Sequence, residues 1–228
     1  MTRNDSAASR QPAPQGLYRP GSEHDACGVG MICQINNRKS HELIQDALKI
    51  LENLTHRGAC GCDETSGDGA GILIQKPDAF LRKAASTCQI PLATDEEYAA
   101  GLVFLPSDTR IRERIKDRVA ESAASKGHRI LGWREVPVDP QAAGDLARQV
   151  LPVIEMLNVG NAAADSGRTF ERRLYLLRKV AEHHVHRLHG QTGAAFHIAS
   201  LSSRTIVYKG MLLADQIPAV FPDLTDLA

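Results

Sequence analysis

The sequence predicts an α+β fold, and two observations carry that expectation. Three long stretches place apolar residues at helical spacing, and several short apolar runs bounded by Gly, Pro, Ser and Asp read as strands. The two kinds follow one another without a steady βα alternation, which argues against a doubly wound parallel sheet. With 228 residues the chain is long enough for one large domain with a sizeable core.

The elements follow in order. Residues 1 to about 22 are rich in Ser, Pro, Gln and Arg, lack periodicity and read as a disordered leader. "GVGMICQI", from Gly28, reads as a buried strand with Cys33 as a small apolar residue inside it. "SHELIQDALKILENLTHRG" carries Leu43, Ala47, Leu51 and Leu54 at helical spacing, with Ser40 as cap and Gly58 after the end. "GDGAGILIQKP" is a glycine turn feeding a strand, "DAFLRKAAS" a short helix and "AAGLVFLP" another strand. "SDTRIRERIKDRVAESAASKG" is a second amphipathic helix, with Ile111, Ile115 and Val119 on one face and Gly127 as the stop. "HRILGWREVPVD" is a strand, "DPQAAGDLARQVL" a helix capped by Asp139 with Pro140 in its first turn, and "PVIEMLNVG" a strand. "TFERRLYLLRKVAEHHVHRL" is a third long helix, and "AAFHIASLSSRTIVYKGMLL" two strands joined by a Ser-Ser-Arg turn.

Composition excludes some functions. Lys plus Arg and Asp plus Glu both number 27, so the formal charge is zero. The sequence shows no basic stripe or acidic tail, which argues against nucleic acid or an anionic membrane as partner. No apolar run reaches the ~18 residues of a membrane span, and the first residues lack the apolar core of a secretory signal. Five cysteines, an odd number, without an export signal point to reduced thiols in the cytoplasm.

The chemistry-bearing residues need weighing one by one. "GDGAGIL" is the wrong way round for a phosphate cradle, which needs a strand before the glycines and a helix after them. Here a strand follows, so a tight turn with close backbone approach is expected. Cys60 and Cys62 form one Cys-x-Cys without the second pair a zinc site requires. His183, His184, His186 and His189 read as a solvated helix face, Trp133 as packing or surface, and Cys88 has no visible catalytic partner. Cys27 is different, because it stands where the leader ends. Cleavage between Ala26 and Cys27 would put a thiol and a free α-amine on one residue. That amine titrates near ~8 and can take the thiol proton without a histidine. Gly28 and Gly30 leave room for a substrate beside the backbone.

The stretch "DACGVGMICQINNRKSHELIQDALKILENLTHRGACGCDETSGDGAGILIQKP", followed by "ILGWREVPVD", "FERRLYLLRKVAE" and "SLSSRTIVYKGML", resembles the class II glutamine amidotransferase domain of the glutamate synthase large subunit. The resemblance spans about residues 16 to 224. It implies an N-terminal-nucleophile hydrolase fold, a four-layer αββα sandwich, here expected to be incomplete at the C-terminus. It implies that residues 1–26 are a propeptide and 27–228 the amidotransferase domain. By resemblance Cys27 attacks the side-chain amide of L-glutamine, releasing ammonia for glutamate biosynthesis, while Arg57 and Gly58 position the terminal amine and the site's backbone. FMN and an iron–sulfur cluster are implied only for further domains of the parent enzyme; none is expected in this segment, and no metal site. Implied partners are those remaining domains or a second chain, and a small subunit.

One departure from the family matters. Its oxyanion donors come from an Asn-Gly pair, and this sequence contains none. Arg204 in "SSRT" does not match the family's substrate arginine. Three functions therefore stand side by side: the glutaminase module of a glutamate synthase, a non-catalytic remnant that binds a partner, and another class II amidotransferase. The glutamate synthase strings argue against the last.

Overall fold

Ser40 starts the first helix: its Oγ accepts from the Leu43 N–H at 3.4 Å, and α1 runs His41–Asn53. Its inward stripe is Ile44, Ala47, Leu48 and Leu51, and a 3₁₀ turn at Thr55–Arg57 follows. The computed structural model describes residues 16, 28–57, 63, 65–92, 94, 97–189 and 195–226.

Beyond that turn the elements are β1 (Ala70–Gln75), α2 (Asp78–Thr87), β2 (Tyr98–Leu105), α3 (Thr109–Ser125), β3 (Arg129–Glu135), α4 (Asp145–Gln149), β4 (Val153–Gly160), α5 (Gly167–His189), β5 (His197–Ile198), β6 (Thr205–Gly210) and α6 (Gln216–Val220). The strands form two antiparallel sheets, one of order β3-β4-β2-β5 and one pairing β1 with β6. The whole is an α+β sandwich, as the sequence predicts.

Period-two alternation splits the core in two. On β2, Ala99, Val103 and Leu105 face α3 and α5, which close that side with Ile115, Val119, Phe170, Leu174, Leu177, Ala181 and Val185. Each such Leu, Val, Ile or Phe contributes about 1.5–3 kcal/mol by leaving water. The other parity, Tyr98, Ala100 and Leu102, joins Ile72 and Ile74 of β1, Ile206 and Tyr208 of β6, and Phe80 and Leu81 of α2. Register places Ile72 opposite Tyr208 and Ile74 opposite Ile206. The outward face of β1 carries Leu73, 63% exposed.

Helix ends obey the local signals. Asp108 caps α3 by accepting from Ile111 N at 2.9 Å, and Gly127 stops it in the left-handed region, φ +75°. Asp139 caps as expected, accepting from Gln141 N at 2.9 Å. The single helix expected after it is divided into a 3₁₀ turn at Pro140–Ala142 and the short α4, because Gly144 between them is extended, ψ 163°.

Two expectations are corrected. Residues 28–35 are not a buried strand: no strand forms there, Val29 and Met31 are 87% exposed, Ile35 94%, and Cys33 is exposed too. Alternating apolar residues make a strand only when a neighbour takes up their N–H and C=O groups, and among the described residues no strand pairs with this segment. The two strands around Ser202–Arg204 are also not partners. β5 pairs with β2 and β6 with β1, so the Ser-Ser-Arg segment carries the chain from one sheet to the other.

Candidate active site

Cys27 and Gly58 lie outside the described residues, as do Cys60 and Cys62, so their surroundings are approached from either side. Gly30, shortly after Cys27, presses its backbone against Ile50 of α1, with Leu54 Cδ1 3.7 Å from where a Cβ would stand. A side chain at Gly30 would collide with Ile50. The structure thus brings the segment that follows Cys27 against the last turns of the helix that leads to Arg57, whose backbone lies in the 3₁₀ turn Thr55–Arg57.

Asp63 and residues 65–69, which lead into β1, are tightly organised. The Asp63 carboxylate accepts from Thr65 N at 2.9 Å and from Thr65 Oγ1 and Ser66 Oγ at 3.0 Å. Burial works against its charge, but the donors of Ser66 and Thr65 outweigh that and hold the carboxyl below its usual range. Gln216 fastens the loop to the far end of β6: its Nε2 donates to Thr65 O at 2.8 Å and its Oε1 accepts from Leu213 N at 2.9 Å. Gly67 lies against the Leu212 carbonyl and Gly144 against Thr65 O, contacts that only a missing Cβ permits. "SGDGAG" is therefore the close-approach turn expected of it.

The "SLSSR" segment is held from α5. Glu171 accepts from Ser203 N and Ser203 Oγ at 2.6 Å and from Ser202 Oγ at 3.0 Å. Ser202 and Ala100 exchange backbone hydrogen bonds at 3.1 and 3.2 Å, and Ser200 Oγ accepts from Val207 N at 3.1 Å. At the other end of the "ILIQKP" string, Lys76 is 2% exposed; its ammonium donates to Tyr98 O at 3.0 Å and lies 3.8 Å from the Tyr98 ring centre. Tyr98 Oη donates to Asp78 at 2.6 Å, which also binds Arg82 at 2.8 Å. Burial opposes ionisation of Asp78, yet these donors keep it below the ordinary carboxylate range.

Asp63, Glu171 and Gln216 are residues that sequence reasoning missed. "DETS" carries an Asx-turn signal that could have flagged Asp63. Glu171 and Gln216 act across long sequence separations and leave no local pattern. Among the described residues no group of three or more His, Cys, Asp or Glu could hold a metal ion, and no helix is long and apolar enough to cross a membrane. Cys33 and Cys88 are free and exposed. His183, His184 and His186 are exposed on α5, as a solvated face requires; the His189 side chain lies outside the described residues. An open depression of about 310 Å³ beside α2 is lined by Phe80, Lys83, Arg134, Asp223 and Asp226, but its charges are paired with each other, Arg134 with Asp223 and Lys83 with Asp226.

Comparison with known proteins bears on this arrangement. The family described as glutamine amidotransferases class-II matches residues 27–228. The glutamate synthase [NADPH] large chain of Bacillus subtilis (strain 168) is 40% identical over 223 residues, covering 96% of this chain and 14% of that protein. The glutamate synthase [NADPH] large chain of Azospirillum brasilense is 37% identical over 210 residues, 92% of this chain and 14% of that protein. The ferredoxin-dependent glutamate synthase 2, chloroplastic, of Arabidopsis thaliana is 36% identical over 203 residues, 89% and 12% respectively. The chain thus spans only about a seventh of the length of these relatives. Matched over nearly nine-tenths of its length, from Cys27 onward, and folded as two antiparallel sheets with helices, the chain belongs to the class II glutamine amidotransferases, a family of N-terminal-nucleophile hydrolases.

Proposed function

We propose that this chain is the glutaminase module of a glutamate synthase, with Cys27 as its nucleophile once residues 1–26 are removed. The observation that carries the reading is that the family match opens on Cys27, where a polar leader meets an apolar, glycine-containing segment. The neutral α-amine of Cys27 takes the thiol proton, and the thiolate attacks the side-chain carbonyl carbon of L-glutamine. The C–N bond breaks, the nitrogen takes up the proton and leaves as ammonia, and a γ-glutamyl thioester remains. Water, deprotonated by the same amine, cleaves the thioester to glutamate and restores the thiol. Arg57 and Gly58 hold the terminal amine and the adjoining backbone. Their placement next to Cys27 draws support from Gly30 lying on the end of α1.

The ammonia would be consumed by further domains of a longer polypeptide, or by a second chain, and a small subunit would accompany them. FMN and an iron–sulfur cluster would belong to those partners; no step above passes through them. The setting would be the cytoplasm. The alternative reading is a non-catalytic partner-binding remnant.

N-terminal sequencing and intact mass of material labelled by an electrophilic glutamine analogue decide between them. Labelled protein that begins at Cys27, with labelling lost in Cys27→Ser, is expected. A labelled chain that still carries residues 1–26 sinks the amine-as-base mechanism, and a processed chain that takes no label favours the remnant.

A further inference from the structure

Helix α5 has two unlike faces. Phe170, Leu174, Leu177, Ala181 and Val185 are fully buried. Opposite them, at steps of three and four, Arg168, Arg172, Tyr175, Lys179, His183 and His186 form one exposed stripe with Leu176 beside it. Tyr175 is 58% and Leu176 46% exposed, and Lys179 Nζ lies 5.9 Å from the Tyr175 ring centre. The helix's own carboxylates leave the two arginines of this stripe without a partner. Glu171 holds Ser202 and Ser203, and Glu182 is shared by Arg178 at 3.3 Å, Lys179 at 3.5 Å and His197 at 3.7 Å. Among the described residues no carboxylate pairs with Arg168 or Arg172. On a chain of zero net charge, Arg168 and Arg172 thus stand exposed on this face without a carboxylate, while Lys179 shares Glu182 with Arg178 and His197.

We infer that this face docks the acidic surface of a separate protein, with Tyr175 and Leu176 at the centre of the contact and Arg168, Arg172 and Lys179 around them. A tyrosine flanked by arginines is a composition enriched at protein-binding hot spots. Nucleic acid is disfavoured because the chain carries no net positive charge. Two apolar side chains make too small a non-polar centre for a permanent interface. The surrounding cations suit a contact steered by charge and released again.

The test titrates the 228-residue chain into a fluorescent Glu-rich peptide with one central Phe and reads anisotropy at about 50 and 200 mM salt. Binding that weakens with salt is expected. Arg168→Glu plus Arg172→Glu, exposed changes near a helix N-terminus that favours acids, should lower affinity at least about tenfold with an unchanged circular dichroism spectrum. Tyr175→Ala should lower it roughly threefold without changing the salt dependence. Reversing Arg110, Arg114 and Arg118, which are also exposed on α3, should leave it within about twofold. Absence of binding at the lower salt, an equal loss on reversing the α3 arginines, or Tyr175→Ala without effect overturns the inference. Duplex DNA that outcompetes the peptide, or a face occupied by self-association in sedimentation velocity, overturns it as well.

Discussion

Replacing Asp223 by Ala removes one half of a buried ion pair and leaves the other half in place. Arg134 Nη1 and Nη2 donate to the two Asp223 oxygens at 2.7 and 2.8 Å, and the two side chains are 11% and 4% exposed. Tyr208 Oη donates to the same carboxylate at 3.2 Å, while Arg134 stacks 5.5 Å from the centre of the Phe80 ring. The hydrogen bonds of Asp223 hold the Arg134 guanidinium above its ordinary pKa against the opposing effect of burial, and burial, reinforced by that carboxylate, pushes Tyr208 well up. Without Asp223 an uncompensated guanidinium stays largely buried at the floor of the open depression, at a cost of up to about 3–5 kcal/mol. The stranded Tyr208 hydroxyl adds to it, about 1–3 kcal/mol if fully unsatisfied. Against a total of ~5–15 kcal/mol this is a large share. Urea unfolding followed by circular dichroism should show a midpoint displaced by that amount with an unchanged m-value. The triple change Arg134→Met, Asp223→Leu, Tyr208→Phe removes all three polar partners together and should recover most of the loss. Asp223→Ala costing under about 1 kcal/mol, or a triple variant as unstable as the single one, would refute the argument that desolvation of the orphaned charge sets the magnitude.

Other outcomes follow from the same physics. Burial lowers the pKa of His128, which is 3% exposed against Phe170; Asp165 pulls it up, Arg173 pushes it down by less, and the Gly160 backbone pulls it up least. The unfolded chain, with a histidine near ~6.5, therefore binds the proton more readily. Stability is full above that pH and falls as pH drops through it toward the lower folded value, and urea midpoints from pH 8 to 5 should show a shallower decline in His128→Leu. Gly67→Ala sets a Cβ against the Leu212 carbonyl, and urea unfolding should show a loss of about 1–3 kcal/mol, since both groups there are backbone. Glu171→Ala strands the Ser203 N–H and two hydroxyls, so hydrogen exchange at Ser203 and Val207 should accelerate at least about tenfold while the α3–α5 core remains protected. The 228-residue chain, processed to Cys27, should turn over glutamine at least about 10²–10³-fold more slowly than a full-length glutamate synthase, since each absent oxyanion donor costs ~2.7–4 kcal/mol. Equal rates in a coupled ammonia assay would mean that the donors lie within residues 27–228.

The sequence by itself determined what depends on neighbours along the chain. The caps at Ser40 and Asp139, the stop at Gly127, and the Ile111, Ile115 and Val119 face of α3 are local choices of backbone and side chain, and they stand where the pattern put them. Cys27, Arg57 and Gly58 were legible as family strings rather than as geometry, and the family match bears out the likeness without testing their roles. Tertiary structure decided what depends on partners far away. Whether residues 28–35 become a strand rests on a neighbour that no period-two pattern encodes. The segregation of β5 and β6 into different sheets rests on β1 and β2 offering the better ladders. Glu171, Gln216 and Asp223 reach segments 32, 151 and 89 residues distant, and the cations of α5 face one way only because the opposite face is buried. Local signals act within a turn or two of helix; charge pairing, sheet partnership and loop clamping are settled when the chain closes on itself.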